Sequence, residues 1–387
     1  MLLTDKKVAI IGGGPGGLTL AKLLQLHQVT VKVYERDLDR NARMVGSPLD
    51  LHFESGLAAL RKAGLMDAFK QHYRPGADRM LITDNQGNIR LNDHHEKPES
   101  DFGNPHFRPE IDRAPLRNML LDALNPDTVV WNSHLLSVDK QGTGWLLRFK
   151  DGSTAYTDVV IGADGANSKI RPYLTDIRPF YTGIIMLEGL IHDTAQTVPQ
   201  VHALMQGGKI MAFGKHKSLL MGSKGGGHMG FYISFKAEEN TLQEYKTICS
   251  DRELLRAWFR KEYDTWGALW QELLQATEIP LIPRPIYCMP VDQSWQAQDN
   301  LTLLGDAAHL MPPFAGEGVN MAMLDALELS ERLCETNHSN LKEAIAAYEM
   351  QMRQRAAKMA QESLDNGERM HSEHSLQTML DLFESFG

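Results

Sequence analysis

Short apolar runs recur along the chain, and three of them open into glycine-rich turns. The first is Val8-Ala9-Ile10-Ile11, continuous as a strand buried on both faces requires. Gly12, Gly14 and Gly17 follow, and Leu18, Leu20, Ala21, Leu23 and Leu24 then predict an apolar helix. Residues 29–34 alternate and are β-branched, which predicts a second strand ending at Glu35. The second run, 158–162, predicts a strand that stops at Asp164-Gly165, with 166–171 beginning a helix or its cap. The third, 301–304, leads into Gly305-Asp306 and, past Pro312-Pro313, into Gly316-Glu317-Gly318 and a helix over 321–333.

Between the second and third runs, 183–192, 210–213, 218–222 and 230–235 read as strands of a separate sheet. Gly225-Gly226-Gly227 reads as a hairpin turn, because no Lys-Ser/Thr follows it as a phosphate loop would need. Pro280, Pro283 and Pro285 punctuate the return. Ala344, Ile345, Tyr348, Met352, Ala356, Met359 and Ala360 recur at helical steps, predicting one long helix over 341–369 that braces two domains. Leu376, Met379, Leu380 and Phe383 predict a last amphipathic helix closing a substrate mouth.

The glycine spacing carries chemistry. In GxGxxG after a strand, Gly12 permits the tight turn, Gly14 lets a pyrophosphate approach the backbone, and Gly17 lets the helix pack closely. The helix N-terminus then offers its dipole to the phosphates. Glu35 stands where a carboxylate accepts hydrogen bonds from ribose hydroxyls, and it disfavours a 2′-phosphate in this slot. Asp306 suits ribityl hydroxyls, and the bare N–H groups after Gly316 suit a flavin's N1 and O2. One chain therefore grips both ends of FAD. His309 reads as structural and not catalytic, and no nucleophile triad or metal-ligand cluster is expected.

Bulk composition narrows the class. A net charge of −9 argues against nucleic-acid partners. Cys249, Cys288 and Cys334 are widely spaced and read as idle thiols. The apolar stretch 8–26 holds five glycines, a proline and Lys22, so a strand-turn-helix is expected and not a membrane span. A cytoplasmic monomer with no membrane partner is expected.

Taken together, these motifs resemble those of the single-component (group A) flavoprotein monooxygenases over nearly the whole chain. Within that family, Glu35-Arg36-Asp37, the run Gly305 to Gly316, and Tyr348-Glu349 with Gln351-Met352 look most like the tetracycline-inactivating monooxygenases. The resemblance implies an α/β fold: a Rossmann-like FAD-binding domain of glutathione-reductase type (1–172 and 283–335), an inserted substrate domain built on a β-sheet (173–282), and a bridging and a C-terminal helix (336–387). Arg36, Asp50, Arg113, Asp164, Asp306, Pro313, Val319 and Asn320 join the glycines Gly12, Gly14, Gly17, Gly316 and Gly318 as cofactor contacts, and Arg43 falls on an arginine associated with NADPH. Glu188, Lys209, Met211, Met221, Phe314 and Met370 are the expected substrate contacts.

The implied reaction consumes NADPH and O2 and hydroxylates an electron-rich aromatic, enolic or polyketide-like molecule through a flavin hydroperoxide. Tetracycline is one candidate. Glu188, Lys209 and Gly230 depart from the glutamine, arginine and histidine of the tetracycline enzymes, and Glu317 replaces a glutamine. An FAD dehydrogenase without oxygen transfer and a ligand-sequestering flavoprotein remain the competing readings.

Overall fold

The computed structural model describes residues 1–42, 46–94, 100–335 and 338–384. In chain order the strands are β1 (Lys7–Ile11), β2 (Thr30–Tyr34), β3 (Leu49–Asp50), β4 (Met80–Asp84), β5 (Ile89–Asn92) and β6 (Glu110–Ile111). Next come β7 (Val129–Val130), β8 (Leu135–Gln141), β9 (Gly144–Phe149), β10 (Thr154–Thr157) and β11 (Val159–Gly162). The rest are β12 (Phe180–Ile191), β13 (Lys209–Gly214), β14 (Lys217–Lys224), β15 (His228–Lys236), β16 (Ile282–Cys288) and β17 (Leu301–Leu303).

The three apolar runs lie side by side. The first sheet has the order β17-β11-β1-β2-β7, parallel throughout, so the turns after β1, β11 and β17 open at one edge. Helices Pro15–Leu26 and Gly318–Cys334 pack against each other in the core of this sheet. The three-stranded sheet β10-β9-β8 adds Trp145, Leu147 and Phe149 to the same core.

The second sheet has the order β16-β12-β15-β14-β13-β4-β5 and is antiparallel except between β13 and β4. Here the sheets depart from the expected division. β4 and β5 come from within 1–172, and β16 lies almost wholly beyond 282, yet all three are strands of the second sheet. Its outer face is covered by helices between 199 and 276, which share a core with Leu187, Ile210, Leu219, Met221 and Phe231. The expected helix near 166–171 is only a 3-10 turn at Arg171–Tyr173.

Helix Leu341–Met370 reaches both sheets. Near its start the Tyr348 hydroxyl donates to the Leu303 carbonyl (3.0 Å), and Thr302 Oγ1 donates to Glu349 Oε1 (2.7 Å). Near its end Ser363 Oγ donates to the Pro312 carbonyl (2.6 Å), and Lys236 pairs with Glu368 (2.6 Å). Tyr348→Phe, which leaves that buried carbonyl without its donor, is expected to cost about 1 kcal/mol in urea unfolding. No measurable loss would show the contact to be incidental.

The three cysteines are free, and burial pushes Cys249 and Cys288 up to about 12 and Cys334 to about 11. They stay thiols at neutral pH. Among the described residues, no helix is long and apolar enough to cross a membrane.

Candidate cofactor and substrate site

The first glycine turn separates two demands that glycine meets. Gly12 has φ +111°, and a Cβ there would lie 2.3 Å from the Ala163 oxygen. At Gly17 a Cβ would lie 2.2 Å from the Gly12 oxygen. Both are glycine because the protein itself fills the space. Gly14 is different: a Cβ there would meet nothing within 4 Å, so the room is left for something else. It is the N-cap of helix Pro15–Leu26, has no side-chain cap, and precedes a proline at N1. The first-turn N–H groups of such a helix have no intrahelical acceptor.

Glu35 is buried at the end of β2 and accepts from Gly13 N (2.6 Å) and Asp37 N (2.9 Å). A carboxylate so held keeps further lone pairs for hydroxyl donors. Arg36 is exposed beside it, and Arg43 lies outside the described residues.

At the second turn, Asp164 accepts from Ser168 Oγ (2.6 Å) and Lys169 N (2.6 Å). Its carboxylate thus closes its own loop, in the same way that Glu35 is held at the first turn. Arg171, which the sequence did not single out, ties this turn to the third. Its Nε donates to the Ala307 carbonyl (2.7 Å) and its Nη2 to the carbonyls of Asp306 (2.9 Å) and Ala166 (3.2 Å).

The third turn is built on a buried charge cluster. Asp325 accepts from Gly305 N (2.8 Å), pairs with His309 (2.6 Å) and pairs with Arg355 (2.6 Å). His309 is therefore structural, as expected. Asp306 faces outward from this framework, exposed, and its side chain accepts no hydrogen bond from the described residues. Desolvation by the surrounding protein raises its carboxyl above the ordinary value, against the pull of His309, Arg113 and Arg171.

Past the Pro313–Ala315 turn, Gly316 adopts φ +69°, and helix Gly318–Cys334 begins without a side-chain cap. A Cβ at Gly318 would also meet nothing within 4 Å. The Asn320 side chain is committed within the protein. It is fully buried, accepts from His52 N (2.8 Å) and Ser55 Oγ (3.2 Å), and donates to the carbonyls of Asp50 (3.0 Å) and Gly316 (3.3 Å). What remains there for a ligand is the backbone N–H of Gly318, Val319 and Asn320.

Asp50 pairs with His52 (3.1 Å), and the other ring nitrogen of His52 meets Glu317 (3.1 Å). Burial would lower the His52 pKa, but hydrogen bonds to these two carboxylates carry it up to about 9. It is an imidazolium at neutral pH. Asp50 and Glu110 are cross-strand partners with Lys209 beside both. One cation stands between two acids. Against burial, Lys209 and His52 hold Asp50 below the ordinary value, while burial pushes Glu110 up to about 7. Lys209 is thus occupied by Glu110 and is no free anion hook, contrary to expectation. Arg113 starts helix Arg113–Asp122, is exposed, and donates from Nε to the Ser47 carbonyl (2.9 Å).

Strand alternation assigns the substrate side. Glu188, Tyr232, Leu220 and Met211 are register neighbours across β12, β15, β14 and β13. Leu220 and Tyr232 share a cluster with Phe314, so this row faces the third glycine turn. Met221 is one residue out of phase and packs in the outer helical core. Its expected substrate contact is incorrect. Met370 is 1% exposed and packs with Ile82, Phe213 and Met379, in a cluster that Met211, Leu220 and Phe314 join. Glu188 is held by Arg284 through Nε (2.8 Å) and Nη2 (2.7 Å). Leu220, Tyr232 and Lys224 share the inner parity and were missed, because no local signal tells which parity of β14 faces inward.

The sequence profile of the FAD binding domain family matches residues 5–363. A 6-hydroxynicotinate 3-monooxygenase of Pseudomonas fluorescens is 27% identical over 93% of this chain and 91% of its own. The structure of Klebsiella pneumoniae HpxO with FAD and uric acid superposes with a TM-score of 0.78 at 21% identity, over 99% of this chain and 93% of that one. The tetracycline destructase Tet(51) superposes with a TM-score of 0.72 at 19% identity, over 98% and 95%. At such identities the two structures establish a shared fold. The uncapped helices at Gly14 and Gly318, the open space at both glycines and the unpartnered Asp306 fit an adenine dinucleotide, and the family match spans nearly all of the chain that builds them: this protein belongs to the FAD binding domain family.

Proposed function

We propose that this protein is an FAD-dependent monooxygenase that draws electrons from NADPH and inserts one atom of O2 into an electron-rich aromatic or enolic small molecule. The observation that carries the reading is the crevice itself. Two helices begin without side-chain caps, each beside a glycine whose Cβ would meet nothing within 4 Å, and Phe314, ahead of the second of them, packs against Leu220 and Tyr232 on the inner face of the second sheet. The relative named for 6-hydroxynicotinate and the neighbour holding uric acid support a small, flat, oxygen-bearing substrate.

FAD, when bound, supplies electron transfer and oxygen activation. The chain's residues do the rest. Gly14 and the first turn of helix Pro15–Leu26 would receive the pyrophosphate, Glu35 the ribose hydroxyls, and Asp306 the ribityl hydroxyls. The N–H groups of Gly318, Val319 and Asn320 would hold the flavin end of the cofactor and offer donors to negative charge there. Met211, Leu220, Tyr232 and Phe314 give the crevice an apolar wall that excludes water.

Purified, FAD-loaded protein is expected to consume NADPH and O2 together when a substrate is added, giving a product heavier by one oxygen atom. A panel of phenols, hydroxylated N-heterocycles and tetracyclines is the screen. NADPH oxidation in which every added compound is recovered at its original mass would sink the proposal.

A further inference from the structure

The inner face of the second sheet carries a cation that the described residues leave without an ion pair. Lys224, at the end of β14, is half-buried, and among the described residues no carboxylate comes within the 4.0 Å of an ion pair. Its Nζ donates only to a neutral acceptor, the Gly46 carbonyl (2.6 Å). Burial pulls the ammonium below the ordinary lysine value; Asp112 and Glu188 pull it back, and Arg113 and Arg74 oppose them. Glu188 is paired with Arg284 (2.7 Å), and Asp112 accepts from Gly225 N (3.0 Å) through one oxygen while lying beyond ion-pair distance of Lys224. The two arginines donate to neutral groups as well: Arg113 to the Ser47 carbonyl (2.9 Å) and Arg74 to Ser223 Oγ (2.7 Å).

The floor beneath this lysine is bare. Gly222 and Gly230 are register partners on β14 and β15 and share the inner parity of Leu220 and Tyr232. A Cβ at 230 would lie 3.5 Å from Lys224 Cδ and 3.5 Å from Ser47 Oγ. At 222 it would meet only Lys209 Cγ, at 3.9 Å. The lysine stem therefore lies across the space that glycine opens, and its ammonium reaches the loop before β3 at the Gly46 carbonyl. Lys209, next along the row, is neutralised by Glu110. A half-buried ammonium bonded only to neutral oxygens is stabilised by an incoming anion more than by any group the protein supplies.

We infer that Lys224, laid over the Gly222–Gly230 floor, selects substrates that carry an anionic oxygen and orients that oxygen in the crevice. The inference rests on the monooxygenase reading only in calling the ligand a substrate. The ligand class is a flat ring bearing a carboxylate or a comparably acidic enol.

The test compares matched ligands on FAD-loaded protein, with binding read from the change in flavin absorbance. The probes are 4-hydroxybenzoate, 3-hydroxybenzoate and 2-hydroxyquinoline-4-carboxylate, each against its own carboxamide. At least one acid is expected to bind about tenfold or more tighter than its amide. Lys224→Met is expected to bring that ratio to near one, with amide affinity and FAD content unchanged, and Lys224→Arg to keep the preference. Acids and amides binding alike in the parent, or a preference that survives Lys224→Met, would overturn the assignment. So would loss of FAD from Lys224→Met, which would make the lysine a cofactor contact. An acid preference without any oxygen transfer would leave this assignment standing and remove the monooxygenase reading.

Discussion

Gly14→Ala should leave the empty protein as stable as the parent and strip it of FAD, while Gly12→Ala should unfold more easily. At Gly14 the backbone is extended (φ −79°, ψ 175°) and a methyl meets no protein atom within 4 Å, so the fold tolerates it. The same methyl stands where the pyrophosphate must approach the backbone. A loss of affinity of about 100-fold is expected, against a change in unfolding free energy within about 1 kcal/mol. Gly12 combines φ +111° with a backbone oxygen 2.3 Å from the added carbon, and a backbone clash is not relieved by a rotamer change. About 2–4 kcal/mol is expected for Gly12→Ala. Urea unfolding of the apoproteins and FAD titration separate the two effects. A Gly14→Ala protein that binds FAD as the parent does would remove the pyrophosphate from this turn.

Asp325→Ala is expected to be the most destabilising single change in the flavin-side framework, at about 3–5 kcal/mol. The fully buried carboxylate compensates His309 and Arg355 and accepts from Gly305 N, which holds the glycine at φ +58°. Arg355 keeps Glu328 (2.6 Å), but His309 and the Gly305 N–H lose the acceptor they are hydrogen-bonded to. The effect depends on pH in a definite way. Burial would raise the Asp325 pKa, but His309 and Arg355 lower it below 3.8; its contribution is present above that value and lost as pH falls through the lowered one. Burial would lower the His309 pKa, but Asp325 raises it above 6.5; its contribution is full below 6.5 and lost as pH rises through the raised value. The pair is therefore at full strength between about pH 4 and 6.5. The stability gap between parent and variant should be widest there, narrowing above it to what Arg355 alone supplies. A gap below about 1 kcal/mol across that window would show the cluster to be dispensable.

The nucleotide half of the fold was legible because its determinants are local. An apolar run of four, a glycine that must take φ +111° and an acid after the next strand each act within a few residues of themselves. The long helix was legible for the same reason, since its apolar stripe repeats over 30 residues. The substrate half was not. Alternation along 217–224 divides β14 into two faces, but only the helices beyond β12 and β15 decide which face is covered. That is why Met221 turned out to belong to the outer core and Leu220 to the crevice.

Chemistry at the site divides along the same line. From its sequence alone the chain determines that a strand-turn-helix opens at Gly12, that another follows Gly305, and that Glu35 and Asp306 stand at strand ends, because backbone sterics and strand periodicity act over short range. Only the tertiary structure decides which charges remain available. It pairs Lys209 with Glu110, closes Asp164 on its own loop, uses the whole Asn320 side chain to fasten 50–55, and leaves Lys224 and Asp306 without ionic partners among the described residues. A side chain's charge is written in the sequence, but its partner is whichever residue the register and the packing of the two sheets bring within about 4 Å of it.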